Sequence, residues 1–334
     1  MPNDDLVHGA QAFADTLYSS AWNISRHKLI AGASQRLLQD AAKTNDRIVS
    51  ILAPLGTTEL AEIAAWADEV KRRKPREDDD PDTVAFLQDQ RNKRSDTWHF
   101  VDLPLDCTEY SRNSYPEFTG DEDVVQIIHL AVDCLAGRSN RFSVLNALRL
   151  VVHLVGDVHQ PLHVGCGYLR ESNGSAELIW DPRVIVNESL KSDRGGNRLF
   201  LPMGSKGPNL HSYWDSMLGG QVSIGTLAPK PVAHNGDVLR LAGFASSSTA
   251  NLLGGSGAAV GTLTVAKSIE QWATESLISA REAYKHLEID AGENSGYRVK
   301  WEGKQVYDGR CTPILQNRLA AAARNLAGLL ADTL

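Results

Sequence analysis

The 334-residue chain has no uninterrupted apolar run approaching the roughly 18–20 residues that a membrane-spanning helix needs. It also has no excess of basic residues: 34 Lys and Arg stand against 41 Asp and Glu, a formal charge of −7. That balance argues against a simple basic groove for nucleic acid, although bound metal could supply the missing positive charge. Cysteine is scarce. Cys107, Cys134, Cys166 and Cys311 are widely spaced and form no CxxC pair. A cysteine-rich zinc module and a dense disulfide framework are thereby excluded, while one or two bridges stay open. There is no fixed-period repeat and no Pro/Gly/Ser linker between two apolar segments. What remains, at 42% hydrophobic and 22% charged, is ordinary globular composition, long enough to bury a core without disulfides.

Helical periodicity dominates. Apolar residues recur every three or four positions over 26–38, 57–73, 123–136, 141–160, 265–287 and 311–334. Thr57 or Thr58, with Glu62 nearby, marks a helix start, and Asp121 stands near another. Strand signals are sparse; 296–309 alternates around a Glu-Gly turn and predicts one small β-hairpin. Segments 74–97, 164–193 and 219–262 read as loops. The expected fold is all-α, a single mainly helical domain over 22–334 with a small hairpin near the C-terminus. Residues 1–21 end in Ser19-Ser20-Ala21, small side chains suited to a signal-peptidase site. Upstream, however, lie Asp4, Asp5 and Asp15, with no basic start and no continuous apolar stretch. An atypical signal segment and a polar N-terminal extension are both open readings.

The segment "HLVGDVHQPLH" (153–163) places three histidines and an aspartate within eleven positions. His153 and Asp157, four apart, project from one helix face. Pro161 disfavours helix at Gln160, so His163 can turn back toward the helix end. Two imidazoles and a carboxylate converging there suit a divalent metal such as zinc. His159 falls on another face and could support the ligands from behind. A second pair at the same spacing is His211 and Asp215 in "NLHSYWD", and Asp68, His99 and His27 also sit beside apolar helical segments. Each alone is more simply a core histidine or a capping aspartate. Together, so many polar groups against a core call for a shared partner.

These segments occur in a recognisable order: "AWNISRHKLIAGASQRLL", "WADEVK", "WHFVDLP", "HLVGDVHQPLHVG", "DRGGNRL", "NLHSYWD", "WATESLISA" and "LQNRLAAAARNLAGLL". Over residues 22–334 the chain resembles the S1/P1 nuclease family, zinc-dependent endonucleases that prefer single strands and act as 3′-nucleotidases. The resemblance implies a phospholipase C/P1 nuclease-like helical fold and three zinc ions. By position, one ion would take Asp68, His99, His153 and Asp157, and a second His163, His211 and Asp215. A third would take His27, Asp157 as a bridge, and the amino nitrogen and carbonyl oxygen of Trp22. In the family that tryptophan is the mature N-terminus; here it follows 21 residues, and an acylated nitrogen is a poor ligand.

The resemblance further implies hydrolysis to 5′-phosphorylated products, with Asp68, Lys71 and Asp157 as catalytic residues. Phe100 would stack a base, Asp102 would read its edge, and Asn197 of "DRGGN" would support the site's loop. The glycines of that motif are too few for a phosphate-cradling loop. Alternative readings are a solvated helix lysine for Lys71 and a core aromatic for Phe100. Expected partners are single-stranded nucleic acid and 3′-nucleotides, with a monomeric chain that is secreted or periplasmic by family habit. The run 164–193 is longer than the family pattern suggests and could narrow the cleft. Zinc-dependent phospholipase C is the nearest rival; its last ligand is usually glutamate, where this chain has Asp215. A non-catalytic zinc- or nucleotide-binding relative is the other.

Overall fold

A computed structural model of the chain describes residues 23–172, 175–203, 207–220, 265–290 and 296–334. The element that organises it is α7 (Val144–His159), started by the Ser143 side chain accepting from the Asn146 N–H and ended before Pro161. Every residue from Leu145 to His159 is buried. An amphipathic surface helix buries only one stripe, so α7 needs neighbours on all sides. They are α1 (Ile24–Leu37), the short α4 (Trp66–Glu69), α5 (Pro81–Gln88), α6 (Val124–Leu135), α10 (Val265–Tyr284) and α11 (Lys304–Thr333). Leu148, Val151, Val152, Leu154 and Val155 fill the spaces between them with essentially no exposure.

Along α7 the polar residues Asn146, Arg149, His153 and Asp157 follow helical spacing. The first two pair with groups of α5 and its cap. Asn146 Nδ2 donates to the Asp82 carbonyl, and Arg149 forms a fork on the Asp80 carboxylate at 3.1 and 2.7 Å. Asp80 also caps α5, accepting from the Thr83 N–H. The stripe therefore continues from a network anchored on Asp80 and Asp82 into His153 and Asp157, whose surroundings are different.

The remaining elements are short. They are α2 (Ala42–Leu52), α3 (Leu60–Ile63), α8 (Pro182–Glu188) and α9 (Leu210–Ser212), with a π-helical turn over Tyr213–Met217. β1 (Leu103–Pro104) runs parallel to β2 (Gly165–Cys166). β3 (Tyr168–Ser172) pairs antiparallel with β4 (Ser175–Ile179) and with β5 (Lys191–Ser192). β8 (Tyr297–Lys300) lies between β6 (Leu199–Phe200) and β7 (Glu288–Asp290).

Several expectations need correction. The predicted helix 57–73 is two single turns, α3 and α4, because the Ala64 carbonyl between them turns aside to accept from His153. Asp123, not Asp121, caps α6, through the N–H groups of Val125 and Gln126; Asp121 pairs with Arg112. Segment 74–97 contains α5, and 164–193 contains a hairpin and α8 rather than loop alone. The strand pair near the C-terminus is β7 with β8, and the second arm predicted for the hairpin is instead the start of α11, which follows Gly303. Of 219–262, residues beyond 220 lie outside the described residues, as do 1–21. All four cysteines are buried and none is bridged. Among the described residues no single helix is long and apolar enough to cross a membrane.

Candidate metal centre

Asp157, fully buried on the last turn of α7, is where the histidines meet. His99 Nδ1 lies 2.8 Å from its Oδ2 and His153 Nε2 3.2 Å, while His27 Nε2 and His163 Nδ1 stand 3.4 and 3.5 Å from its Oδ1. Asp68, from α4, is 3.4 Å from His153 Nε2 and 3.7 Å from His99 Nδ1. The His27 and His153 rings stack at 3.8 Å. That approach requires glycine at 156, where a Cβ would lie 2.7 Å from His27 Nδ1. Beside this group, His211 Nε2 is 3.4 Å from Asp215 Oδ2, and the His163 and His211 rings stack at 4.9 Å.

Donor atoms fall into three adjoining sets, each within 4.8 Å: His27, Asp68 and His153; His99, His153 and Asp157; His163, His211 and Asp215. The last coincides with the second ligand set read from sequence. The first two distribute Asp68, His99, His153 and Asp157, with His27 reaching Asp157 as well. Trp22 lies outside the described residues.

The donors fit a metal on grounds internal to the chain. A carbonyl only accepts, so where Nδ1 meets one, Nδ1 carries the proton and Nε2 is turned the other way. His153 Nδ1 donates to the Ala64 carbonyl, His163 Nδ1 to that of His99, and His211 Nδ1 to that of Gly195, at 2.7–2.8 Å. This backbone support is what orients metal-binding imidazoles. Meanwhile both Asp68 oxygens, Asp157 Oδ1 and Nε2 of His153 and His163 are buried without a well-aligned hydrogen bond. Such groups are costly unless something else satisfies them.

Electrostatics agree. Burial alone would lower the His153 pKa, but the charges of Asp157 and then Asp68 outweigh it and push it up to about 10. Burial likewise opposes ionisation of Asp68 and Asp157, yet His153 holds both below the usual carboxylate range. A proton on His153 thus offsets two buried carboxylates, the service a divalent ion would perform instead.

The donors open on a cleft of about 700 Å³ whose lining includes His99, His163, His211 and Asp215. Lys71 lines it, with Nζ 2.5 Å from Asp68 Oδ1. So do Phe100, 38% exposed, and Asp102, whose Oδ2 accepts from Ser192 Oγ at 2.8 Å. Asn197 is at the rim, its Nδ2 donating to the Arg194 carbonyl. Burial raises the Asp102 pKa despite the Ser192 hydrogen bond. His159 is not behind the site. Its Nε2 accepts from Asn325 and its ring faces Trp272, on the opposite side of α7.

Sequence reasoning missed the supports. Gln160 appears there only as the helix stop, yet its Nε2 donates to Asp215 Oδ1 at 2.9 Å while its Oε1 accepts from the Leu162 N–H. Arg26 binds the carbonyls of Trp214 and Leu218, bracing the π-helical turn that carries Asp215. No local signal marks either role, because both partners are distant in sequence. Gln160→Met, which keeps volume and removes the donor, should weaken metal binding at the His163–His211–Asp215 set by about 10–100-fold. Competition against a calibrated chelator measures this; unchanged affinity would reduce Gln160 to a helix stop.

The description S1/P1 Nuclease matches residues 22–334. Nuclease S1 of Aspergillus oryzae is 26% identical over 196 residues, covering 58% of this chain and 53% of that protein. Endonuclease 2 of Arabidopsis thaliana is 26% identical over 205 residues, 58% and 55% of the two chains. Nuclease P1 of Penicillium citrinum is 24% identical over 202 residues, 59% and 58%. The chain therefore spans about half the length of the curated relatives it matches. The family match takes in every element that brings a histidine or aspartate to the cluster, and on that ground the chain belongs to the S1/P1 nuclease family.

Proposed function

We propose that the chain is a zinc-dependent endonuclease, hydrolysing single-stranded DNA or RNA to 5′-phosphorylated products and removing phosphate from 3′-nucleotides. The observation that carries this reading is the adjoining donor sets, with their imidazoles held by backbone carbonyls, below an open cleft. Asp68, His99, His153 and Asp157 would hold one zinc ion, and His163, His211 and Asp215 a second. His27, Asp157 and the amino and carbonyl groups of Trp22 would hold a third. Zinc bound there would lower the pKa of water and neutralise charge on a phosphodiester.

The chain's own residues do the rest. Lys71 places an ammonium at the cleft wall, where it offsets charge gathering on phosphate oxygens. Phe100 offers a partly exposed ring to an unpaired base, and stacking of that kind requires a single strand. Asp102, steadied by Ser192, faces the base edge, and Asn197 ties the Arg194 turn. In this reading residues 22–334 form the nuclease domain, and 1–21 are a segment whose removal frees the Trp22 nitrogen. The enzyme acts as a secreted or periplasmic monomer.

The test is metal removal and return. Protein stripped by chelator should lose hydrolysis of single-stranded DNA and regain it with zinc, cleaving duplex DNA far more slowly. Elemental analysis should find about three zinc ions per chain once Trp22 is N-terminal, and fewer with residues 1–21 attached. Zinc-loaded protein that cleaves phosphatidylcholine but no nucleic acid would make it a phospholipase. Full loading with no turnover on either would make it a non-catalytic relative.

A further inference from the structure

A second cavity, of about 550 Å³, adjoins the metal cleft, and Thr97, Phe100 and Asp102 line both. Phe100 thus borders two spaces at once. Its position is set from behind, where its carbonyl accepts from the Val124 N–H at the start of α6. Away from the metal donors, the second space is lined by Phe118 and Arg94. The Phe118 ring is half-buried and held edge-on by Tyr168 at 5.7 Å between centroids. Arg94 is exposed and, among the described residues, makes no ion pair.

Four acidic residues line this space, and three of them are occupied, Asp102 by the Ser192 hydroxyl. Asp123 accepts from the Tyr110 hydroxyl and from the N–H groups of Gly120, Val125 and Gln126. Asp121 pairs with Arg112. That leaves Glu122 and Arg94 with uncommitted charge, one acceptor and one cation, in a space also lined by the Phe118 ring. An aromatic surface with a guanidinium suits a base with its phosphate, and a carboxylate suits an exocyclic amino group.

We infer that this second cavity is a subsite for a further nucleotide on the side of Phe100 away from the metal donors, the third of a strand whose first two nucleotides fill the metal cleft. Its base packs on Phe118, its phosphate meets Arg94, and its amino group, where it has one, reaches Glu122. The inference rests on the nuclease reading and adds to it a preference for chain length. A substrate filling only the metal cleft leaves Phe118 and Arg94 untouched; a longer strand engages both. Bases with exocyclic amines, adenine, cytosine and guanine, gain over thymine in that position.

The experiment measures affinities of zinc-loaded protein for hydrolysis-resistant phosphorothioate di-, tri- and tetranucleotides. Calorimetry is the readout, so turnover is not required. One added stacked base strengthens binding by roughly 5–150-fold, the range that base–aromatic stacking spans. The trinucleotide should therefore bind at least about 5-fold tighter than the dinucleotide. Phe118→Leu, which keeps an apolar contact to Tyr168, and Arg94→Ala should each erase most of that gain while leaving dinucleotide affinity unchanged. Phe118→Tyr should retain it. Equal affinity for all lengths, or a length dependence that survives both substitutions, overturns the subsite. Failure of the nuclease reading looks different: no oligonucleotide of any length binds the zinc-loaded chain.

Discussion

On the proposed reading, Asp157→Ala should yield a folded chain that binds less metal than the parent and hydrolyses single-stranded DNA roughly 10³-fold or more slowly. The size of the effect follows from position. This one carboxylate lies within 3.5 Å of nitrogens from four histidines drawn from three parts of the chain. Asp68, the other carboxylate beside His153 and His99 at 3.4 and 3.7 Å, makes no pair with His163 and so does not take over the bridging position of Asp157. The fold should survive. Without metal, Asp68 stays within 3.4 Å of His153 and still balances its charge, so losing Asp157 does not leave that imidazole as an unpaired buried cation. The expected signature is a chelated variant that melts near the chelated parent, with zinc raising the melting temperature of the parent and not of the variant. Full zinc content with normal turnover in this variant would remove the basis for the metal centre.

Gly195→Ala should be nearly as damaging for a different reason. Gly195 adopts φ +59°, and a Cβ there would stand 2.1 Å from the Leu162 carbonyl oxygen, a backbone atom that cannot swing aside. The left-handed conformation and the overlap together should cost about 2–5 kcal/mol, so the 193–197 turn must shift. That turn supplies the carbonyl that holds His211 Nδ1 and the wall on which Asn197 sits. Stability measured by urea unfolding should fall, and zinc affinity at the His163–His211–Asp215 set should fall with it. An alanine variant of parental stability and parental zinc affinity would show that the turn adapts and that His211 is held by other contacts.

The convergence of the donor side chains was legible in the sequence because several of them follow local rules. His153 with Asp157, and His211 with Asp215, each keep the four-residue spacing that puts two side chains on one helical face. Pro161 announces the end of α7 two residues before His163. What misled was periodicity read without neighbours. Residues 57–73 keep a helical apolar pattern, yet the chain breaks at Ala64 so that a carbonyl can serve His153, which is 89 positions away. The alternation in 296–309 suggested two strands; β8 instead pairs with β7 and β6, and Lys304 onward joins the C-terminal helix. The 164–193 segment read as loop because its hairpin and short helix are each too brief to show a period.

By itself, then, the sequence determined a mainly helical chain, the helix that carries His153 and Asp157, and the residue types able to bind metal, since these depend on contacts within a few positions. Only the tertiary structure decided which carbonyl orients each imidazole, that Gln160 and Arg26 steady Asp215, that His159 meets Asn325 and Trp272, and that Phe100 borders two cavities. Those outcomes depend on partners tens to hundreds of residues distant, brought within hydrogen-bonding range by the packing of apolar surfaces around α7.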